Sequence, residues 1–364
     1  MTTPGGWRRT LRRVASHAAV AGLLGVGLVT AACSGDGSPL ARRPDGGAGG
    51  TMAEGGGGGA DAVTSSTTGQ GGSGGVVEPP GPTRITVVHG VVDADAVRFC
   101  FRPFPAIASG LQPWPGPTGL SYARAGVLDP TDGSLPADGD VEVFIVAGDL
   151  AAAAGSNCDE LVDTAPADVL VRSAGVIPRS ALAAERSLLF VADGCVGGPG
   201  HEDETQDDIC GVGYDPSFGN AGLVAGFMSR LPRPDALSLQ FVHASRATSV
   251  PDVRYRVAAS TVATLAFPGW TAGAIGPFPP FIGLDRMALV SPGAAQLGVF
   301  NVSNITTGVF EQSWADIFSN GALDVDDIED GDHLVFVAVG PAASTPAASW
   351  WNGFTFTVVD GDPP

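Results

Sequence analysis

From Thr83 onward the chain is written in short runs whose residues alternate between apolar and polar. Arg84-Ile85-Thr86-Val87-Val88-His89 sets Ile85 and Val87 on one side and Thr86 on the other. Ser238-Leu239-Gln240-Phe241-Val242-His243 does the same, with Leu239 and Phe241 opposite Gln240. A period of two with one polar side predicts a half-buried strand. Val97-Arg98-Phe99-Cys100-Phe101 and Val253-Arg254-Tyr255-Arg256-Val257 form a second matched pair. In these, Phe99, Phe101, Tyr255 and Val257 face in, while Arg98, Cys100, Arg254 and Arg256 point out. Ser187–Ala192 answers His333–Ala338, and Val141–Val146 and Gln296–Val302 lie between the matched runs. Similar strands returning in the same order predict two copies of one β unit.

Few stretches keep a helical period for three turns, and Ala151–Ala154 and Ser180–Glu185 are long enough only for a turn or two of helix. With 53 Gly and 29 Pro in the chain, the reading is all-β. Its size suits two tandem sandwich domains, 83–234 and 235–364.

The N-terminal segment has a different grammar. Arg8, Arg9, Arg12 and Arg13 precede an apolar run from Ala18 to Val29, then Thr30-Ala31-Ala32-Cys33. A basic start, a short apolar stretch and small residues before a cysteine predict a lipoprotein signal over 1–32, with Cys33 lipidated. The run is too short and too rich in Ala and Gly for a comfortable membrane span. Thr30 stands where such signals usually carry Leu, so ordinary cleavage and secretion is the alternative. Arg8-Arg9-Thr10-Leu11 also resembles a twin-arginine export signal, the simpler reading being a basic leader. Residues 33–82, rich in Gly, Ser and Thr, have little to bury and predict a disordered tether reaching roughly 40 Å. Gly71-Gly72-Ser73-Gly74-Gly75 inside it matches a nucleophile-elbow pattern, but no strand precedes it and no helix follows.

Charge narrows the partners. The whole chain carries a net charge of −19 with no Lys. Loss of the leader's four arginines leaves 15 arginines against 38 acids, net −23. Such a balance opposes nucleic acid and anionic membrane surfaces.

Candidate chemistry is sparse. His89 and His243 hold equivalent inward positions at strand ends, where a buried imidazole can pin the following turn by hydrogen bonds. No metalloprotease, phosphate-loop or dinucleotide motif occurs, so no catalytic residue and no cofactor is implied. Asp324, Asp326, Asp330 and Asp332 could supply oxygen ligands to Ca²⁺, and His201–Asp208 is a second acidic run. Phe278-Pro279-Pro280-Phe281 and Trp350-Trp351 could form an aromatic surface or plug a sandwich end. With Cys33 lipidated, Cys100, Cys158, Cys195 and Cys210 remain, and four cysteines allow three pairings. The Gly-rich, acidic loop between Cys195 and Cys210 favours that pair, worth about 3 kcal/mol in the chain-entropy model. Cys100 then takes Cys158.

Val242-His243-Ala244-Ser245, and His89 followed by Asp93-Ala94-Asp95-Ala96-Val97, resemble bacterial surface modules marked by V-H-A-S-P-D-A-P-x-V-D. Asp93, Ala94, Ala96 and Val97 fall at that spacing after His89, and Ser245 fits in the second copy. Arg98 departs where the modules carry Asp, and the segment to Pro251-Asp252-Val253 is longer and lacks D-A-P. These are β-sandwich domains of unassigned activity, often in tandem behind lipoprotein or secretory signals. The resemblance implies immunoglobulin-like sandwiches and no reaction. Taken together, the expectation is a non-enzymatic lipoprotein of the outer membrane or cell surface, structural, adhesive or ligand-binding. Its partners would be the anchoring membrane and an envelope protein or glycan. An exported hydrolase and a Ca²⁺-dependent module are the alternatives.

Overall fold

The computed structural model describes residues 81 and 83–361, apart from 131–132, 183–184, 202–206, 232–234, 248–249, 257–262, 278–281, 288–295 and 301–303. The predicted leader, Cys33, the predicted tether apart from residue 81, and Phe278–Phe281 lie outside the described residues.

The chain is all-β, with four sheets among the described residues. In the first half, β1 (Arg84–His89), β4 (Ala125–Leu128), β7 (Ser187–Asp193) and β8 (Gly222–Met228) pair in the order β4-β1-β7-β8. Facing them, β2 (Ala96–Phe104), β3 (Leu120–Ser121), β5 (Asp140–Gly148) and β6 (Val169–Ile177) pair as β3-β2-β5-β6. In the second half, β9 (Leu237–Ala244), β12 (Ile275–Gly276), β16 (His333–Val339) and β17 (Thr355–Asp360) pair as β12-β9-β16-β17, with β13 (Ile282–Leu284) also on β9. Its second sheet runs β11-β10-β14-β15, from β10 (Val250–Arg256), β11 (Thr264–Trp270), β14 (Gln296–Phe300) and β15 (Phe310–Ser313). In both halves the first strand lies parallel to a late one. His89 sits opposite Ala192, and His243 opposite Ala338.

Each half encloses its own apolar layer. Ile85, Val87, Phe99, Phe101, Ile145 and Phe190 fill the first. Leu239, Phe241, Phe267, Phe336 and Phe356 fill the second. A third layer joins the halves: Val88, Leu189 and Val191 meet Val242, Val335, Val337 and Val339.

That third layer corrects the half-buried reading of the first strands. Thr86 and Gln240, expected to face water, are buried at the seam. Gln240 is held there by its own hydrogen bonds: its amide oxygen accepts from Ser229 N at 3.1 Å and meets His333 Nε2 at 2.9 Å, and its amide nitrogen donates to Pro277 O at 3.2 Å. A buried polar side chain is tolerable on those terms.

The outward faces of β2 and β10 need a similar correction. Cys100 points away from the main core as expected, yet it is fully buried, because α1 (Cys158–Thr164) lies over it with Leu161, Phe144 and Val169. The start of this helix was present in the sequence as Asn157-Cys158-Asp159-Glu160. Asn157 Oδ1 accepts from Glu160 N at 2.9 Å and Glu160 Oε2 accepts from Asn157 N at 3.0 Å, a capping box. Arg98 is buried as well, donating to the carbonyls of Pro113, Pro115 and Ala153. On β10, Arg254 is mostly covered and pairs with Asp252 at 2.8 Å.

Two further helices among the described residues are short. α2 (Arg179–Leu182) follows β6, and α3 (Trp314–Gly321) starts from a Ser313 cap and packs on β17. Among the described residues no helix is long and apolar enough to cross a membrane.

Candidate functional site

β1, β7, β9 and β16 deliver their following loops to one end of the body, where both halves meet. Cross-half bonds fix this meeting. Asn352 N donates to Val92 O at 2.8 Å, Ala342 N to Asp208 O at 2.9 Å, and the Tyr122 hydroxyl to Gly353 O at 2.8 Å. Arg246, after β9, pairs with Asp193 at the end of β7 at 2.8 Å. Burial pushes the Asp193 carboxyl up, outweighing the opposing effect of Arg246.

Asp93 is the centre of this loop end. Its carboxylate is wholly enclosed and accepts Val196 N and Gly197 N, each at 2.8 Å. The second oxygen also meets His201 Nδ1 at 3.0 Å. Gly197 has φ +67°, and a Cβ there would come within 2.6 Å of Pro216 O, so the close approach requires glycine. The Arg172 guanidinium spans the same loop, donating to Val196 O at 2.8 Å and Ser217 O at 2.9 Å. Burial lowers its pKa, while the charge of Asp93 and then Tyr214 act in the opposite direction.

Aromatic rings close the top. The His201 ring stacks on Trp350 with centroids 4.9 Å apart, and Trp350 meets Trp351 edge-on at 4.7 Å. The Tyr214 hydroxyl donates to His201 O at 3.0 Å. Burial, followed by Asp93 and Asp215, pushes this phenol up to about 12, so it stays protonated and donating at neutral pH. Trp350 and Trp351 are therefore packed into the loop end beside Val92, Cys195, Ile209 and Cys210.

Both disulfides form in the pairings that the sequence favoured. Cys195–Cys210 and Cys100–Cys158 have Cα separations of 5.4 and 5.3 Å. Asn220 braces the first, accepting from Cys195 N and donating to Cys210 O, both at 2.9 Å.

The histidines divide by environment. His89 is fully buried: Nε2 meets Ala94 O at 3.0 Å and Nδ1 accepts from Val91 N at 3.2 Å. Burial pushes its pKa down to about 3, with the Ala94 carbonyl opposing. A second proton would land on the nitrogen that already accepts Val91 N–H. His243 Nδ1 accepts Ser245 N at 3.3 Å, and the Ser245 hydroxyl donates to Pro341 O at 3.1 Å. His333 is buried too, and burial lowers it to about 4. Of the four described histidines only His201 keeps an opening to solvent, and among the described residues no Ser, Thr or Cys hydrogen-bonds its ring. The loop end is thus braced from within: Asp93 holds the Val196–Gly197 backbone and His201, and the His201 ring rests on Trp350.

Asp324, Asp326, Asp330 and Asp332 are not brought together. Asp324 Oδ1 accepts from Asp326 N, and Asp332 Oδ2 accepts from Glu329 N, so these carboxylates close their own turns. Among the described residues no three His, Cys, Asp or Glu side chains converge on a metal-sized space. The other acidic run lies partly outside the described residues, but its first member, His201, belongs to the loop end. Sequence reasoning passed over Arg172, Tyr214, Asn220 and Arg246, and met His201 only as the start of an acidic run. Their partners are distant in the chain, and no spacing rule links them.

No protein-family model matches the chain, and a comparison with curated proteins finds no match either.

Proposed function

We propose that this chain is an exported, non-enzymatic lipoprotein of the cell envelope, acylated at Cys33 and carried on the tether 33–82. Its body presents the braced loop end to an envelope protein or a glycan, in a structural, adhesive or ligand-binding role, at the outer membrane or cell surface. The observation that carries this reading is the pair of buried disulfides. Such bonds form and persist in oxidising compartments and are rare where cellular thiols keep cysteines reduced.

Two immunoglobulin-like sandwiches derived from one duplicated β unit suit the matched strand orders of the halves and the resemblance to V-H-A-S-P-D-A-P surface modules. The polar groups of the loop end act on its own backbone, as expected of a scaffold that holds a surface. Cys33→Ala tests the anchor: the protein should move from the membrane to the soluble fraction. Unchanged fractionation would overturn the lipoprotein reading.

A further inference from the structure

The end of the first half opposite the loop cluster carries a different surface. No charged residue occurs between Arg102 and Arg124. Within that stretch residues 104–110 form seven consecutive exposed positions, Phe104 through Gly110. Phe104 is 46% exposed and Ile107 68%.

This loop is held by bonds at its far side. Asp159 Oδ2 accepts Ser109 N at 2.7 Å and Gly110 N at 2.8 Å, and Asp159 Oδ1 pairs with Arg102 Nε at 3.1 Å. Leu111 O accepts Cys158 N at 2.8 Å, and Cys158 is bonded to Cys100 in the strand that leads into the loop. Apolar side chains on an already ordered loop lose little conformational freedom on binding.

The loop also lies where the chain enters the body. Phe104 pairs in register with Asp140, and Asp140 Oδ1 accepts Arg179 N at 2.9 Å at the start of α2. At the other end of α2, Leu182 O accepts the Thr83 hydroxyl at 3.3 Å, one residue before β1 begins. We propose that loop 104–110 is a membrane-contact loop, resting Phe104 and Ile107 in the interfacial region of a neutral lipid bilayer. This deepens the lipoprotein reading and rests on it for the direction from which the membrane is met.

Charge selects lipid here. Val212 and Phe218 are more exposed, at 85% and 73%, but they sit among Asp207, Asp208 and Asp215 at the opposite end. Those carboxylates would resist entry into a low-dielectric layer, whereas residues 103–123 contain none and the carboxylates beside the loop are engaged, Asp159 by Ser109 N, Gly110 N and Arg102 and Asp140 by Arg179 N.

The test uses the mature chain from position 33 with Cys33→Ala, secreted behind a cleavable leader so that no acyl chain is attached. It should sediment with phosphatidylcholine vesicles. Ile107→Asp should weaken that partition by roughly tenfold, with Ile107→Ser intermediate as the milder variant and Val212→Asp unchanged. Absence of vesicle binding by the parent protein, or equal binding by the Ile107 variants, overturns the proposal. So does Ile107-dependent capture of an envelope protein without vesicle binding. Because Cys33 is absent, these outcomes stand apart from the fractionation result that tests the anchor.

Discussion

Both disulfides, the buried Asp93 carboxylate and the Arg172 brace belong to the first half, whereas the second half contains no disulfide and brings more rings into contact. Phe241 lies 5.0 Å from Phe267, Phe310 5.0 Å from Phe354, and Trp314 5.4 Å from Phe336. The two halves share an order of strand pairing but not a means of cohesion. The first half bears the long β7–β8 loop, rich in Gly and Asp, which has few apolar side chains to bury. Covalent and ionic ties take the place of packing there. The second half has shorter excursions and can rely on aromatic burial, worth about 0.5–1.5 kcal/mol per well-placed ring pair beyond the area removed from water.

The largest test of that contrast is covalent. Replacing Cys195 and Cys210 together by Ala should cost about 3 kcal/mol, since the bond closes a short loop that packing does not hold. Urea unfolding with near-ultraviolet detection would read it. A loss well under 1 kcal/mol would mean that Asp93, Asn220 and Arg172 already order the loop without the bond, and the contrast between the halves would weaken.

Much of this contrast was legible before any coordinates. Alternation marked β1, β2, β9 and β10, and the Gly-rich loop between Cys195 and Cys210 pointed to the pairs that form. The seam was written in the sequence too, but in a different pattern. Leu188-Leu189-Phe190-Val191-Ala192 and Leu334-Val335-Phe336-Val337-Ala338 are unbroken apolar runs, the mark of strands buried on both faces. Thr86 and Gln240 disguised it, because one polar residue per strand resembles a solvent face until its hydrogen bonds are known. The loop end was not legible. Asp93 meets Val196 and Gly197 across more than 100 residues of chain, and no local period reports such a contact. His201 drew notice only as the start of an acidic run, since its partners Asp93 and Trp350 are remote in sequence.

Acid provides a second comparison, because each half buries an imidazole whose proton affinity is reduced. His89 is lowered to about 3 and His333 to about 4, against an ordinary value of 6.5. Below pH 6.5 the unfolded chain takes up protons at both positions while the folded chain does not. Their stabilising effect is therefore complete above pH 6.5 and is lost as pH falls toward 4 and then 3. The cost is about 2 kcal/mol per imidazole between pH 7 and pH 5. Asp193 works the other way: its raised carboxyl binds a proton more readily when folded, which adds stability lost as pH rises through its folded value. Unfolding free energies measured from pH 5 to 7 should rise with pH, and His333→Gln should remove roughly half of that slope. A slope that His333→Gln leaves unchanged would show that protonation is not resisted at His333.

The smallest effect bears on whether the halves act together. Tyr122 belongs to the first half, and its hydroxyl reaches Gly353 O in the β16–β17 loop of the second at 2.8 Å. Burial raises the phenol's pKa, so it remains a donor through the neutral and mildly alkaline range. Tyr122→Phe keeps the ring that packs edge-on against His89 at 5.7 Å and deletes only the cross-half bond. The expected cost is about 1 kcal/mol, that of a neutral hydrogen bond whose acceptor is left behind. What discriminates is the shape of the transition. With the valine seam intact, the variant should still unfold in one step at a slightly lower denaturant concentration. Two resolved steps would mean that the shared apolar layer couples the halves weakly, and that each is held by its own interior: stapled by disulfides in one, filled with packed rings in the other.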